Sequence, residues 1–199
     1  MLEPDVPQLG DVLPLVPSDP QWLVRALADL DAIHADHLHC ERKAAQSALS
    51  LIRSYPDRVD LVTAMARLAH DETRHVIQVA QLMTRRGQPA SYDHGDDYAA
   101  ALRTQIRNRE PERVLDRLLV FAVIEGRSAE RLGLLAGALP DPKSRDLYAS
   151  LADAEVRHRD IFLSLARDAA PATWRARAHE LAELEAGILR QRPIVARIH

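Results

Sequence analysis

The sequence contains little cysteine, glycine or aromatic side chain, and each shortage excludes a class of protein. Cys40 is the only cysteine in 199 residues, which rules out an internal disulfide and any cysteine-rich metal domain. Only seven glycines are present, and none belongs to a phosphate-binding loop motif. Apolar runs stay well short of the roughly 20 residues that a membrane-spanning helix needs. With 47% hydrophobic and 28% charged residues, the remaining composition is typical of a soluble helical bundle.

The N-terminal segment also lacks the features of a targeting sequence. The first 20 residues are acidic and rich in proline, without the basic and apolar stretches of a secretory signal. A single cysteine is compatible with a reducing compartment. We therefore expect a cytoplasmic protein that does not associate with a membrane.

Hydrophobic residues recur at helical spacing through most of the chain, and few strand signals compete with them. Ser18-Asp19-Pro20 offers a capping residue followed by a proline suited to a first helical turn. Pro56-Asp57 and the segment from Gly137 to Pro140 mark turns between long helices. The predicted helices cover about residues 20–55, 58–87, 98–107, 111–137, 142–168 and 171 onward, with a loop over 88–96.

These helices predict an all-α protein with a single domain over residues 1–199, a length that suits one hydrophobic core. Residues 1–18 are expected to form an irregular arm. Residues 20–168 are expected to form the core of a four-helix bundle with additional short helices, and residues 171–199 a C-terminal helix and tail.

Two Glu-x-x-His motifs give the first indication of a metal site. Glu72 and His75, and likewise Glu155 and His158, are three residues apart and therefore share one face of a helix. Chance alone gives about half of one such match in a chain with this many glutamates and histidines. A single motif therefore fits an ordinary solvated helix face equally well.

The positions of two further glutamates change this interpretation. Glu41 precedes Glu72 by 31 residues and Glu125 precedes Glu155 by 30, and each pair is centred on a predicted turn. In an antiparallel hairpin such residues lie side by side, here roughly 22 Å from the turn at a rise of about 1.5 Å per residue. One glutamate from each of two helices, with Glu-x-x-His from each of the other two, is the arrangement by which bundles build carboxylate-bridged dimetal sites.

The predicted metal ligands are thus Glu41, Glu72, His75, Glu125, Glu155 and His158. Four buried carboxylates are costly without cations, and two divalent ions offset that cost. This ligand set suits iron or manganese rather than structural zinc. Two ferrous ions would change the formal net charge from −3 to about +1, so charge does not decide whether the partner is a nucleic acid.

The sequence leaves open the roles of four neighbours of these ligands. His34 and His37 share the helix face of Glu41 and can lie in the outer sphere or contact a substrate, although such histidines are more often only hydrogen-bonded in a core. Asp71 can orient a ligand histidine, but the second half of the chain has no equivalent. Cys40 lies on a different helix face from Glu41 and is expected to pack.

Arginines near the predicted helix ends form another candidate surface. They can bind phosphates around the end of the bundle, or they can form an ordinary solvated face. The set comprises Arg85, Arg86, Arg103, Arg107, Arg109, Arg113 and Arg117.

The segments around the six ligands resemble a known family, the tRNA 2-methylthio-N6-isopentenyladenosine hydroxylases, also called MiaE. The resemblance runs over nearly the whole chain, and all six positions at which that family places iron ligands hold the expected residue type. Four blocks carry the resemblance: HCERKAAQSALSLI, MARLAHDETRHVIQVAQLMTRRG, EPERVLDRLLVFAVIEGRSAERLGLLA and LYASLADAEVRHRDIFLSLA.

The resemblance implies a ferritin-like fold and an O2-dependent hydroxylation of the isopentenyl group on a modified adenosine of the tRNA anticodon stem-loop. It implies a nonheme diiron centre in which Glu72 and Glu155 bridge, Glu41 and Glu125 are terminal ligands, and each iron has one histidine. Electrons then come from an external reductase or ferredoxin-type donor. The tRNA contacts do not transfer residue by residue, and we expect a monomer or small homo-oligomer.

Two other functions remain open at this level. One is an iron-handling protein, either ferritin-like storage or a peroxide-consuming oxidase related to rubrerythrin. Rubrerythrin-like proteins usually add a cysteine-rich iron domain, which Cys40 alone cannot form. The other is a tRNA-binding bundle with a vestigial or structural metal site, against which the retention of all six ligands argues.

Overall fold

A computed structural model describes residues 9–199, and these residues form helices and loops without any strand. The predicted features of residues 1–8 lie outside the described residues. No helix in the described range is long and apolar enough to cross a membrane. A short 3-10 helix (Leu9–Val12) precedes the α-helices, which are α1 (Pro20–Ala28), α2 (Leu30–Ser54), α3 (Val59–Arg85), α4 (Asp97–Arg103), α5 (Glu112–Ala138), α6 (Pro142–Ala169) and α7 (Trp174–Arg190).

Two helical hairpins, α2–α3 and α5–α6, form a four-helix bundle, which confirms the predicted fold class. Helix α7 packs against α5 and α4, and α1 packs against α5 and α2. The predicted end of α3 is also confirmed. Gly87 adopts a left-handed conformation with φ 67°, and the N–H of Gln88 donates back to the carbonyl of Met83 (3.0 Å), which closes the helix.

The first predicted helix is wrong in one respect, because residues 20–54 form two helices rather than one. Asp29 separates them with φ −143° and ψ 70°, and its carboxylate accepts a hydrogen bond from the N–H of Ala32 (3.0 Å). An aspartate side chain competes with the helix backbone for N–H groups and so favours a cap. The capped break therefore separates α1 from α2.

The helix predicted over residues 98–107 ends earlier, at Arg103. The carboxylate of Asp116 accepts hydrogen bonds from the backbone N–H of Arg107 (2.9 Å) and from its guanidinium (2.8 Å). These bonds hold residue 107 in a turn against α5. The last helix begins at Trp174, three residues after the predicted start at Pro171.

Apolar side chains fill the bundle in two clusters with a polar level between them. One cluster includes Leu51 and Phe162, and the other includes Ile33 and Leu132. On each of the four bundle helices, the predicted metal ligands lie in sequence between the residues of the first cluster and those of the second. The fold therefore encloses the polar level in apolar side chains on both sides along the bundle axis.

Candidate metal centre

All six predicted ligands lie at this polar level, and none is more than 6% exposed. Helix α2 contributes Glu41, α5 contributes Glu125, and each Glu-x-x-His motif lies on one of the other two helices. Their donor atoms form two groups, within each of which the atoms are less than 4.8 Å apart. The first group is Glu41, Glu72, His75 and Glu155, and the second is Glu72, Glu125, Glu155 and His158. Glu72 and Glu155 therefore belong to both groups.

Both imidazole rings present their Nδ1 atom to the shared carboxylates. His75 Nδ1 lies 3.3 Å from an oxygen of Glu72 and 3.8 Å from one of Glu155. His158 Nδ1 lies 2.8 Å from Glu72 and 3.6 Å from Glu155. The helical spacing of three sets the contact within each motif, and the packing of α3 against α6 sets the contact between the motifs.

Several of these buried atoms have no hydrogen-bond partner among the described residues, namely Glu72 Oε1, Glu155 Oε1 and His158 Nδ1. The first and last are 2.8 Å apart but do not have hydrogen-bond geometry. Buried polar atoms in proteins are nearly always paired. Unpaired oxygen and nitrogen donors that converge on one point fit a pair of bound cations, so the residues present suit a dimetal centre.

Burial, with a further contribution from the nearby carboxylates of Glu155 and Glu41, raises the pKa of Glu72 to about 8. Burial also raises the pKa of Glu125 well above its usual value, with Glu155 adding to the effect. Burial alone would lower the pKa values of His75 and His158, but the adjacent carboxylates outweigh it and raise both to about 10. Without metal, protons supply the positive charge that this cluster requires.

His37 contacts one of the predicted ligands, which is the outer-sphere position that the sequence left open for it. Its Nε2 atom lies 2.6 Å from Glu41 Oε1, the residue is 1% exposed, and its ring stacks on Tyr148 with centroids 5.7 Å apart. The ring of His34 also stacks on Tyr148, with centroids 6.3 Å apart, and its Nδ1 atom is hydrogen-bonded to Gln88 Oε1 (3.0 Å). Only His37 of the two therefore contacts a ligand.

Asp71 and Cys40 have smaller roles in the geometry. Asp71 Oδ2 is 3.9 Å from His158 Nε2, which is too long for a hydrogen bond. Cys40 lies beside His199, with Sγ 3.5 Å from Nδ1, and burial and the nearby Asp36 raise its thiol pKa well above the usual value. A protonated thiol is a poor nucleophile, which fits the predicted packing role.

A small pocket of about 40 Å³ lies between α2, α4 and α5 and leads from the candidate centre towards the surface. Glu41, Glu125 and Glu155 line its buried end, whereas neither ligand histidine does. Its other lining residues include the apolar Ala44, Ala99, Phe121 and Ile124 and the polar Lys43, Asp96, Arg103 and His199. Sequence reasoning missed this pocket because its walls come from segments far apart in the chain and no local motif marks them.

The structure divides the predicted arginine surface between the two ends of the bundle. Arg86 lies near Asp31 at the start of α2 (3.8 Å), whereas Arg117 donates to Ser50 near the end of α2 (3.3 Å). Arg107 is engaged by the buried Asp116. The seven arginines therefore do not form one surface.

The protein is thus a four-helix bundle that brings four carboxylates and two imidazoles together in its interior. This arrangement is typical of the ferritin-like proteins that bind two metal ions. Residues 8–199 match the family model described as tRNA-(MS[2]IO[6]A)-hydroxylase (MiaE). The chain belongs to this family, which confirms the resemblance seen in the sequence.

Two relatives carry the name tRNA 2-(methylsulfanyl)-N(6)-isopentenyladenosine(37) hydroxylase. The protein from Pseudomonas putida is 41% identical, over 85% of this chain and 83% of its own length. The protein from Salmonella typhimurium is 29% identical, over 87% of this chain and 82% of its own length. Both names favour a hydroxylase over the iron-handling alternative.

A solved structure from Synechococcus has a similar fold, with a TM-score of 0.86 and 37% sequence identity over 92% of this chain and 93% of its own. That protein is described as having aldehyde deformylating oxygenase activity. The similarity supports the ferritin-like fold over nearly the whole described length.

Proposed function

We propose that this protein is an O2-dependent nonheme diiron monooxygenase that hydroxylates the isopentenyl group of 2-methylthio-N6-isopentenyladenosine in tRNA. The observation that carries the proposal is the pair of overlapping ligand groups at the buried end of a pocket that opens to the surface. Membership of a family described by this reaction supports the choice of substrate. A tRNA substrate would place the protein in the cytoplasm.

Two iron ions would be held by the six residues, with Glu72 and Glu155 shared between them because these residues belong to both groups. Glu41 and His75 would complete one ligand set, and Glu125 and His158 the other. When bound, iron supplies the redox chemistry and the open coordination positions that O2 activation needs.

The residues of the pocket would hold the substrate and exclude water. Phe121 and Ile124 lie beside Glu125 along α5 and give the buried end an apolar side wall that suits a branched alkyl group. His37 would fix the orientation of the Glu41 carboxylate through its 2.6 Å contact. A dry pocket holds the reacting C–H group in place and limits side reactions with water.

Electrons for the reaction would come from a partner, either a reductase or a ferredoxin-type protein. A single cysteine, Cys40, gives the chain no means of binding an iron–sulfur cluster of its own. The protein would act as a monomer or small homo-oligomer.

The proposal is tested by oxygen-dependent turnover of the iron-loaded, chemically reduced protein with tRNA that carries the methylthio-isopentenyl modification. Mass spectrometry of the digested nucleosides should detect a gain of one oxygen on that nucleoside. Glu125→Ala should abolish the gain, whereas Glu183→Ala, an exposed position on α7, should leave it unchanged. Absence of product from a protein with two bound irons and bound tRNA would contradict the proposal.

The Synechococcus structure suggests a second candidate, an oxygenase acting on an aliphatic aldehyde. The apolar side wall of the pocket would also accept an alkyl chain. Incubation of the same reduced protein with a long-chain aldehyde and O2, followed by assay of formate, separates the two. We expect no formate above the level of the Glu125→Ala variant.

A further inference from the structure

A second groove lies beside the pocket, between α2, the end of α4 and the first turns of α5. It measures about 360 Å³, and it shares Lys43, Ser47, Arg103 and Phe121 with the pocket. Because the two spaces share these wall residues, the groove directly adjoins the pocket that contains the predicted ligand carboxylates. A substrate held in the groove would therefore lie next to the pocket entrance.

Two arginines line this groove without a carboxylate partner among the described residues. Arg103 is exposed and makes no side-chain hydrogen bond in that part of the chain. Arg117 is half-buried, donates to Ser50 Oγ (3.3 Å) and lies over the ring of Tyr55 at 5.5 Å. By contrast, Arg107 is paired with a buried aspartate at 2.8 Å. Arg103 and Arg117 therefore leave their positive charge uncompensated in the groove.

Lys43, at the junction of groove and pocket, behaves differently. Its buried Nζ atom lies 3.7 Å from Asp96 and 3.8 Å from Asp93. These contacts attach the loop before α4 to helix α2. These two aspartates offset the charge of Lys43, so we do not expect Lys43 to bind an external anion.

We propose that Arg103 and Arg117 bind backbone phosphates of the tRNA anticodon loop and thereby place the modified adenosine at the pocket entrance. This inference rests on the proposed function. Arginine binds phosphate with two parallel hydrogen bonds, and loop bases that leave the stack can enter a protein pocket while their backbone stays outside. Gln46, Ser47 and Ser50 supply neutral polar groups along the same groove. The arginines of the groove suit the phosphate of a prenylated nucleotide, and the apolar walls of the pocket suit its prenyl group.

The test measures binding of a fluorescent anticodon stem-loop RNA with the methylthio-isopentenyl modification to the metal-loaded protein across a range of salt concentrations. Arg103→Met and Arg117→Met should each weaken binding about tenfold at 0.1 M salt and lower the slope of log affinity against log salt by about one. Arg117→Lys, which keeps the charge, should lose less. Arg85→Met is the matched control, because Arg85 is exposed at the opposite end of the bundle, and its binding should not change.

Arg103→Met decides the matter if Arg117→Met unfolds the protein, because Arg103 is exposed and makes no side-chain hydrogen bond or ion pair in the described part of the chain. Unchanged affinity and salt slope for the Arg103 variant, in a protein that still hydroxylates tRNA, would overturn the inference and leave the proposed function intact. If the modified nucleoside monophosphate alone bound as tightly as the stem-loop RNA, the inference would also be overturned, since the other phosphates of the loop would then contribute nothing to binding. A wild-type protein that neither binds nor hydroxylates the RNA would instead refute the proposed function.

Discussion

At the scale of single residues, His37 is the side chain whose contact with the candidate centre is shortest outside the six ligands. His37→Phe keeps the ring that stacks on Tyr148 but removes the nitrogen that lies 2.6 Å from Glu41. Outer-sphere partners of this kind typically contribute about 10- to 100-fold to metal affinity or activity. We expect His37→Phe to weaken iron binding by a factor in that range in a chelator competition assay.

His34→Phe is the control for this prediction. His34 stacks on the same tyrosine and is equally buried, but it bonds Gln88 rather than a ligand. Its replacement should leave iron affinity within a few-fold of the original. Equal losses in the two variants would indicate that packing around Tyr148, rather than the contact with Glu41, is what matters.

The protonation of the metal-free cluster predicts how its stability depends on pH. The folded pKa of Glu72 is raised to about 8, and those of His75 and His158 to about 10. A raised folded pKa stabilises the protein below the unfolded value and loses that contribution as pH rises through the folded value. Between about pH 6.5 and 8, all three groups therefore lower the free energy of unfolding as the pH rises. The melting temperature of the metal-free protein should fall over this interval.

The metal-loaded protein provides the comparison, because bound cations replace the protons that the cluster otherwise holds. Its melting temperature should change little over the same pH interval, and metal binding at pH 7 should release protons that a weakly buffered indicator assay detects. A metal-free protein whose stability rises between pH 6.5 and 8 would contradict this account of the cluster.

At the scale of helices, the break at Asp29 determines where α2 begins, and α2 carries both His37 and Glu41. Asp29→Ala removes the side chain that caps the N–H of Ala32, so the free energy of unfolding should fall by about 1 kcal/mol. Asp29→Asn can still accept that bond and should lose much less. Urea unfolding of the metal-free protein measures the difference, and equal values for the two variants would argue against a cap.

At the scale of the whole molecule, a buried ion pair connects the bundle to the segments around it. Arg127 on α5 and Glu185 on α7 are both fully buried, with Arg127 Nε 2.8 Å from Glu185 Oε1. Tyr98 on α4 donates to the same carboxylate (3.0 Å), and the arm before α1 accepts from Arg127 at the carbonyl of Val16 (2.8 Å). Four segments of the chain are thus tied to one guanidinium and one carboxylate.

Glu185→Leu removes the buried partner of Arg127 and leaves it only the partly exposed Glu130, and the free energy of unfolding should fall by about 3 kcal/mol, the lower end of the cost of breaking a buried pair. The double variant Arg127→Met with Glu185→Leu removes both charges and should recover a large part of that loss. Denaturant unfolding at fixed metal content measures both. A double variant no more stable than the single one would show that the other contacts of the network, rather than the buried charge that has lost Glu185, dominate.

The sequence by itself determined the bundle and the six residues of the candidate centre. A spacing of three places Glu72 with His75 and Glu155 with His158 on one helix face, and equal distances from two turns bring the other glutamates to the same level. Both arguments use only the helical repeat and the rise per residue, and the structure brings the six residues together as they predict. Among the helices, the sequence missed the break at Asp29 and misplaced the end at Arg103 and the start at Trp174. A cap decides the first and side-chain contacts of Asp116 the second.

Only the tertiary structure decided what surrounds that centre. The pocket joins Lys43 on α2, Asp96 and Arg103 at the two ends of α4, and His199 at the end of the chain, and the Arg127–Glu185 pair joins residues 58 positions apart. Such contacts depend on how helices and loops pack, which hydrophobic periodicity does not encode. The same reason applies to the arginines. The sequence groups Arg103 and Arg117 with Arg85 and Arg86, but the antiparallel helices place the two pairs at opposite ends of the bundle.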